Sequence, residues 1–157
     1  MSFFGHRLSA IGPHQRDGLL RLCALEPVGA VSLAHLVRRW ERWSRGDVVV
    51  LGRPSRPAAG AWATGSLVPF GLAARPGLGH DGVGPAGARV IADHARLRLT
   101  RRGSVTGPAP DVEAVWAPLA VDGLRAREER WIQPLLVAPS PPGGLVEPVL
   151  RRRPRLG

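Results

Sequence analysis

Lysine, asparagine and tyrosine are absent from the 157 residues, and cysteine occurs once, at Cys23. A single cysteine excludes an internal disulfide and a cysteine-based metal cluster. The absence of tyrosine removes one common general acid. With no lysine, all 22 basic side chains are arginine. Together with abundant Ala, Gly and Pro, this is the composition expected of a GC-rich genome, so part of the net charge of +10 reflects codon usage. No stretch reaches the roughly 18 apolar residues of a membrane span. The opening run MSFFGHRLSAIG lacks the apolar core of a signal peptide. These absences predict a soluble, cytoplasmic protein without a membrane partner.

What is present is a globular composition, 44% apolar, over a length that suits one domain. Residues 6–12 read as a short strand. Residues 13–27 read as a helix broken by Pro27. The clearest helix runs from Val28 to Trp43, with Leu33, Leu36, Val37 and Trp40 at i, i+3, i+4, i+7. Asp47–Arg53 is an internal strand, PSRPAAG a turn, and AWATG and SLVPF two strand segments around Gly65. A helix follows from about Pro85 to Leu99. SVTG reads as a short strand, and DVEAVWAPL as a helix with Val112, Val115, Trp116 and Leu119 on one face. Trp116 and Trp40 are the expected core anchors. Arg130–Pro139 is a last strand with Pro134 at an edge or bulge. The order β-α-α-β-β-β-α-β-α-β predicts an α/β (α+β) fold, a mixed sheet with helices on both faces. The domain spans 1–139. Residues 140–157 form a Pro/Gly linker and a basic tail, expected to be disordered.

The densest glycine run, RPGLGHDGVGPAGARVIADHA, leads straight into the third helix. Glycines before a helix N-terminus let backbone N–H groups approach a phosphate. They also simply turn corners. Both readings stand at this level.

Four pieces carry a likeness: LLRLCALEPVGAVSLAHLV, GSLVPF, SVTGPAPDVEAVW and QPLLVAP. In this order and spacing the chain resembles the N-terminal domain of uncharacterised function that precedes the catalytic domain in actinobacterial N-acetyltransferases of the GNAT family. That resemblance implies a degenerate GNAT-like domain, structural or regulatory rather than independently catalytic. The family activity is acetyl transfer from acetyl-CoA to an amine. The implied partner is a catalytic GNAT domain, or a second copy of this chain. It also implies that the chain is an N-terminal half whose tail, VEPVLRRRPRLG, resembles the start of the next domain. In the family, the loop after the fourth strand holds the acetyl-CoA pyrophosphate as Gln/Arg-x-x-Gly-x-Gly/Ala. The matching positions here are Arg75, Gly77 and Gly79, with Leu67 and Val68 as the strand that would hold pantetheine. Arg75 stands one residue closer to the glycines than the family pattern, and Pro76 and Pro85 remove N–H donors.

The remaining candidates read as structural. Cys23 falls on an apolar helix face, where a packing role is expected. Glu128 and Glu129 belong to a charged loop. His35 and His94 lack a second ligand at i+3 or i+4, so no metal site is assigned, and His80-Asp81 is a lone pair in the loop. Asp111 suits the positive end of a helix dipole. No residue is assigned a catalytic role. Arg38, Arg39, Arg42 and Arg45 with Trp43 on the second helix come closest to the basic, aromatic stripe of a nucleic-acid binder. A solvated helix face accounts for it more simply, so the alternative reading, a basic nucleic-acid-binding module, ranks second.

Overall fold

Val48, Val49, Val50 and Leu51 are all almost fully buried. A strand with every side chain buried must be covered on both faces. In the computed structural model, which describes residues 7–130, that is its situation. Strands β1 (Leu8–Ala10), β2 (Val48–Arg53), β3 (Arg56–Ala63) and β4 (Leu67–Phe70) form one antiparallel sheet in the order β1-β2-β3-β4. Side chains alternate between faces. Val48, Val50, Trp62, Val68 and Phe70 pack with α1 (Arg16–Cys23) and α2 (Val31–Arg39). Val49, Leu51, Ala61, Ala63 and Leu67 pack with α3 (Gly84–Arg96) and α4 (Ala109–Val121). The result is a mixed α/β domain with helices on both faces, as expected, but its four strands form an antiparallel sheet rather than the mixed one expected. No helix among the described residues is long and apolar enough to cross a membrane.

Several expectations are corrected. The segment read as the turn PSRPAAG is mostly strand, because β3 begins at Arg56 and only Pro54 and Ser55 turn. Pro57 is tolerated there because the β2–β3 register shifts between Leu51 and Gly52, opposite it. The expected helix over residues 13–27 is a short 3-10 turn at Pro13–Gln15 followed by α1. Helix α2 ends at Arg39 rather than Trp43, since Trp40 takes an extended conformation. Trp40 is therefore half exposed and stands outside the core that it was expected to anchor. Its neighbour Trp43 turns inward instead. Its Nε1–H donates to the Ile11 carbonyl at 2.6 Å, and its ring meets Trp62 edge-on at 5.8 Å. The expected aromatic of an exposed Arg–Trp stripe is thus partly committed to the core. Trp116 packs only half buried against the second core, while Val115 and Leu119 are fully enclosed.

The short strand expected at SVTG is reduced to one parallel bridge. Leu67 N–H donates to Ser104 O at 2.8 Å, and Thr106 N–H to Leu67 O at 3.0 Å. The next rungs would need N–H groups from residues 69 and 108, and both are proline. The two segments part there, and the chain after Thr106 turns into α4. The expected last strand, the domain boundary at 139 and the basic tail lie outside the described residues.

One close approach fixes α1 on the sheet end. A side chain at Gly18 would begin inside the contact radius of the Pro54 carbonyl oxygen. Alanine favours a helix interior over glycine by about 1 kcal/mol. Gly18→Ala is nevertheless expected to destabilise by about 1–3 kcal/mol, the range for overpacking. Urea midpoints check this, and a raised midpoint would refute the contact.

Candidate functional site

Strand β4 ends at Phe70, and the glycine-rich loop begins at once. Gly71 has φ +84°, and a side chain there would start 2.8 Å from the Ala58 carbonyl oxygen, so only glycine fits. The chain then presents two backbone donors to one point. Gly71 N–H donates at 3.3 Å and Ala73 N–H at 2.8 Å to the carboxylate of Asp111. Arg75 comes round to the same group, its Nη2 2.5 Å from Oδ2 and its Nη1 3.2 Å from Oδ1. Two amides and a forked guanidinium around an oxyanion make an anion cradle. The anion in it is the protein's own.

Asp111 stands in the first turn of α4 and is completely buried. A buried carboxylate must be paired and hydrogen-bonded, and this one is satisfied on both oxygens. Arg75 is almost as enclosed, its side chain 10% exposed. Its Nε donates to Glu26, from the loop between α1 and α2. Its Nη1 also donates to the Ala73 carbonyl at 2.9 Å, and the guanidinium lies 4.6 Å from the centre of the Phe70 ring. Burial opposes the guanidinium's charge, but its hydrogen bonds to Asp111 and Glu26 and their negative charges outweigh it and hold its pKa above the ordinary value. The site thus ties together β4, the glycine loop, the α1–α2 loop and the start of α4.

The residues singled out from sequence are distributed around this cradle. Leu67 and Val68 are buried on opposite faces of β4. Gly77 and Gly79 sit at the exposed tip of the loop, where an added side chain would meet nothing within 4 Å. The tip folds on itself. Leu78 and His80 N–H donate to the Arg75 carbonyl at 2.9 and 3.2 Å, and Gly79 N–H to Pro76 O at 3.1 Å. Arg75 is brought together with Asp111 and Glu26, and not with the two glycines. Sequence reading placed Asp111 at a helix start but had no means of pairing it with a residue 36 positions earlier.

The other candidates fall where packing and surface chemistry put them. Cys23 is buried, and desolvation pushes its thiol up to about 11, the opposite of a reactive thiolate. His94 Nε2 lies 2.7 Å from the Gly46 carbonyl, at the edge of the core. His35 and Asp81 are exposed. Glu128 pairs with Arg130 at 2.7 Å on the surface, and Glu129 is exposed beside it. Among the described residues, no group of His, Cys, Asp or Glu is placed to hold a metal.

Residues 46–155 match the family described as a domain of unknown function, DUF4081. The chain belongs to that family. The DUF4081 match takes in β2 to β4, α3 and α4, and therefore both Arg75 and Asp111, whereas Glu26 precedes it. No curated protein and no solved structure matches the chain.

Proposed function

We infer that this DUF4081 chain is a GNAT-like domain with a structural or regulatory role and no acetyl-transfer activity of its own. One observation carries the reading: the cradle at the head of the glycine loop is filled by the Asp111 carboxylate. The Gly71 and Ala73 amides and the Arg75 guanidinium are donors of the kind that bind a phosphate, and they are committed to Asp111 and Glu26. The tip amides of Leu78, Gly79 and His80 are spent on the loop's own carbonyls. An incoming phosphate would have to displace a buried, fully hydrogen-bonded carboxylate, which is costly. The residues present therefore do not fit an acetyl-CoA pyrophosphate, and no step is routed through that cofactor. The element order up to α3 and the parallel contact between β4 and Val105 support the GNAT-like part of the reading. In this role the domain packs against a catalytic N-acetyltransferase domain, or against a second copy of itself, and shapes the neighbour's cleft.

Calorimetry with acetyl-CoA is expected to give no binding heat at millimolar ligand. A free-thiol assay over a panel of amines is expected to show no turnover. Turnover by the chain alone would overturn the reading, and saturable heat abolished by Gly79→Val would restore the loop as a cofactor site.

A further inference from the structure

Beside the cradle, on the outer side of the loop, lies an open cleft of about 450 Å³. It is bounded by α1, by the start of β3 with its preceding turn, and by the loop tip. Arg21 and Arg56 line it, and among the described residues no acidic side chain does. Among the described residues neither arginine has a carboxylate partner. Asp17, one turn before Arg21, lines the smaller neighbouring cleft, which Arg21 also borders, but does not pair with it. Arg21 donates from Nη2 to the Ser55 carbonyl at 3.0 Å, which holds its guanidinium at the cleft wall and leaves further donors.

His80 also lines the wall. Its Nδ1 accepts from Gly82 N–H at 3.1 Å, so in the neutral ring the proton sits on Nε2. That Nε2 is buried against Gly71, away from the cleft opening, and has no hydrogen-bond partner among the described residues. The rest of the wall is apolar. Leu22 is buried beneath it, while Leu25 and Leu78 stay more than two-fifths exposed on either side.

Unpaired arginines and leucines sharing one concave surface select a particular ligand chemistry. We propose that this cleft binds a small oxyanion carrying an apolar chain, with Arg21 and Arg56 on the anion and Leu22, Leu25 and Leu78 on the chain. Arg21 and the leucines at 22 and 25 come from α1 and its end, and Leu78 and His80 from the loop. Occupancy would therefore bridge two elements that the Arg75–Glu26 contact already joins. The proposal is independent of the acetyltransferase-like reading, because none of its anion-binding groups belongs to the cradle.

The test uses the full chain and four probes: hexyl phosphate, hexanoate, hexanol and inorganic phosphate, each titrated by NMR. Saturable shifts of the Leu25 and Leu78 methyls and of the His80 ring are expected with hexyl phosphate or hexanoate. The stronger of the two identifies the headgroup. Affinity should exceed that for inorganic phosphate or hexanol by about tenfold, and should fall about tenfold in Arg21→Gln/Arg56→Gln. Both arginines are exposed, so the variant should keep its fold, which circular dichroism verifies. Equal affinity in the variant, equal binding of hexanol, or no saturation by either charged probe would overturn the proposal. Saturation only by an acidic peptide with apolar residues would overturn it in favour of a protein-docking surface.

Discussion

Replacing Asp111 by alanine is expected to lower the unfolding free energy by about 3–5 kcal/mol, the usual cost of breaking a buried ion pair from one side. The reason is what remains behind. Arg75 would keep its charge with only Glu26 opposite it, and Glu26 is more than a third exposed. The Gly71 and Ala73 amides would lose their acceptor at the same time. The α4 N-terminus would lose its tie to the end of β4. Arg75→Met should cost a similar amount, because it strands a carboxylate with no exposure at all. The double variant Arg75→Met/Asp111→Leu should cost less than the two singles together, since a pair in contact is not additive. Asp93→Ala provides the contrast. Its side chain is half exposed and its ion pair with Arg89 is a surface pair, so a change of about 1 kcal/mol or less is expected. Denaturant midpoints measure all four. A loss below that of Asp93→Ala in the Asp111 variant would mean that the cradle contributes nothing to the fold.

The second large effect is expected at Phe70. Phe70→Ala should cost about 3–5 kcal/mol, the range for a large side chain removed from a packed interior. Phe70 is fully buried at the end of β4, within the core shared with α1 and α2. Its ring also lies against the Arg75 guanidinium, so truncation would open a void beside a nearly enclosed charge. Phe70→Leu should cost clearly less, since it keeps most of the volume. Hydrogen exchange offers a second readout. Protection of the Gly71 and Ala73 amides should drop in Phe70→Ala more than protection of the central strand β2. Equal, small losses in both variants would show that the ring does not support the cradle.

Much of the scaffold could be read from local pattern. The continuous apolar run of β2 announced an internal strand, and β2 lies between β1 and β3 with its first four side chains buried. The 3.6-residue spacing of Val115 and Leu119 announced their burial. Helix α3 and the strand at Leu67–Phe70 fell where expected, within a residue or a few. Misreadings arose where backbone chemistry at a distance decided the outcome. Trp40 has the helical spacing of a core residue, but α2 ends before it, and Trp43 takes the inward place beside Trp62. SVTG has strand composition, but Pro69 and Pro108 remove the donors for further rungs.

The sequence by itself determined that the chain would form helices and a sheet around two apolar faces, because periodicity is a local property. It also determined that a glycine loop would stand at the head of α3. What occupies that loop was decided only by the tertiary structure. Arg75 and Asp111 meet because β4 and the start of α4 emerge side by side after a single parallel bridge, and Glu26 joins them from the opposite layer. No spacing in the sequence encodes that meeting. It follows from three segments converging where the carboxylate is shut off from water, and there a charge is stable only with its partners in place.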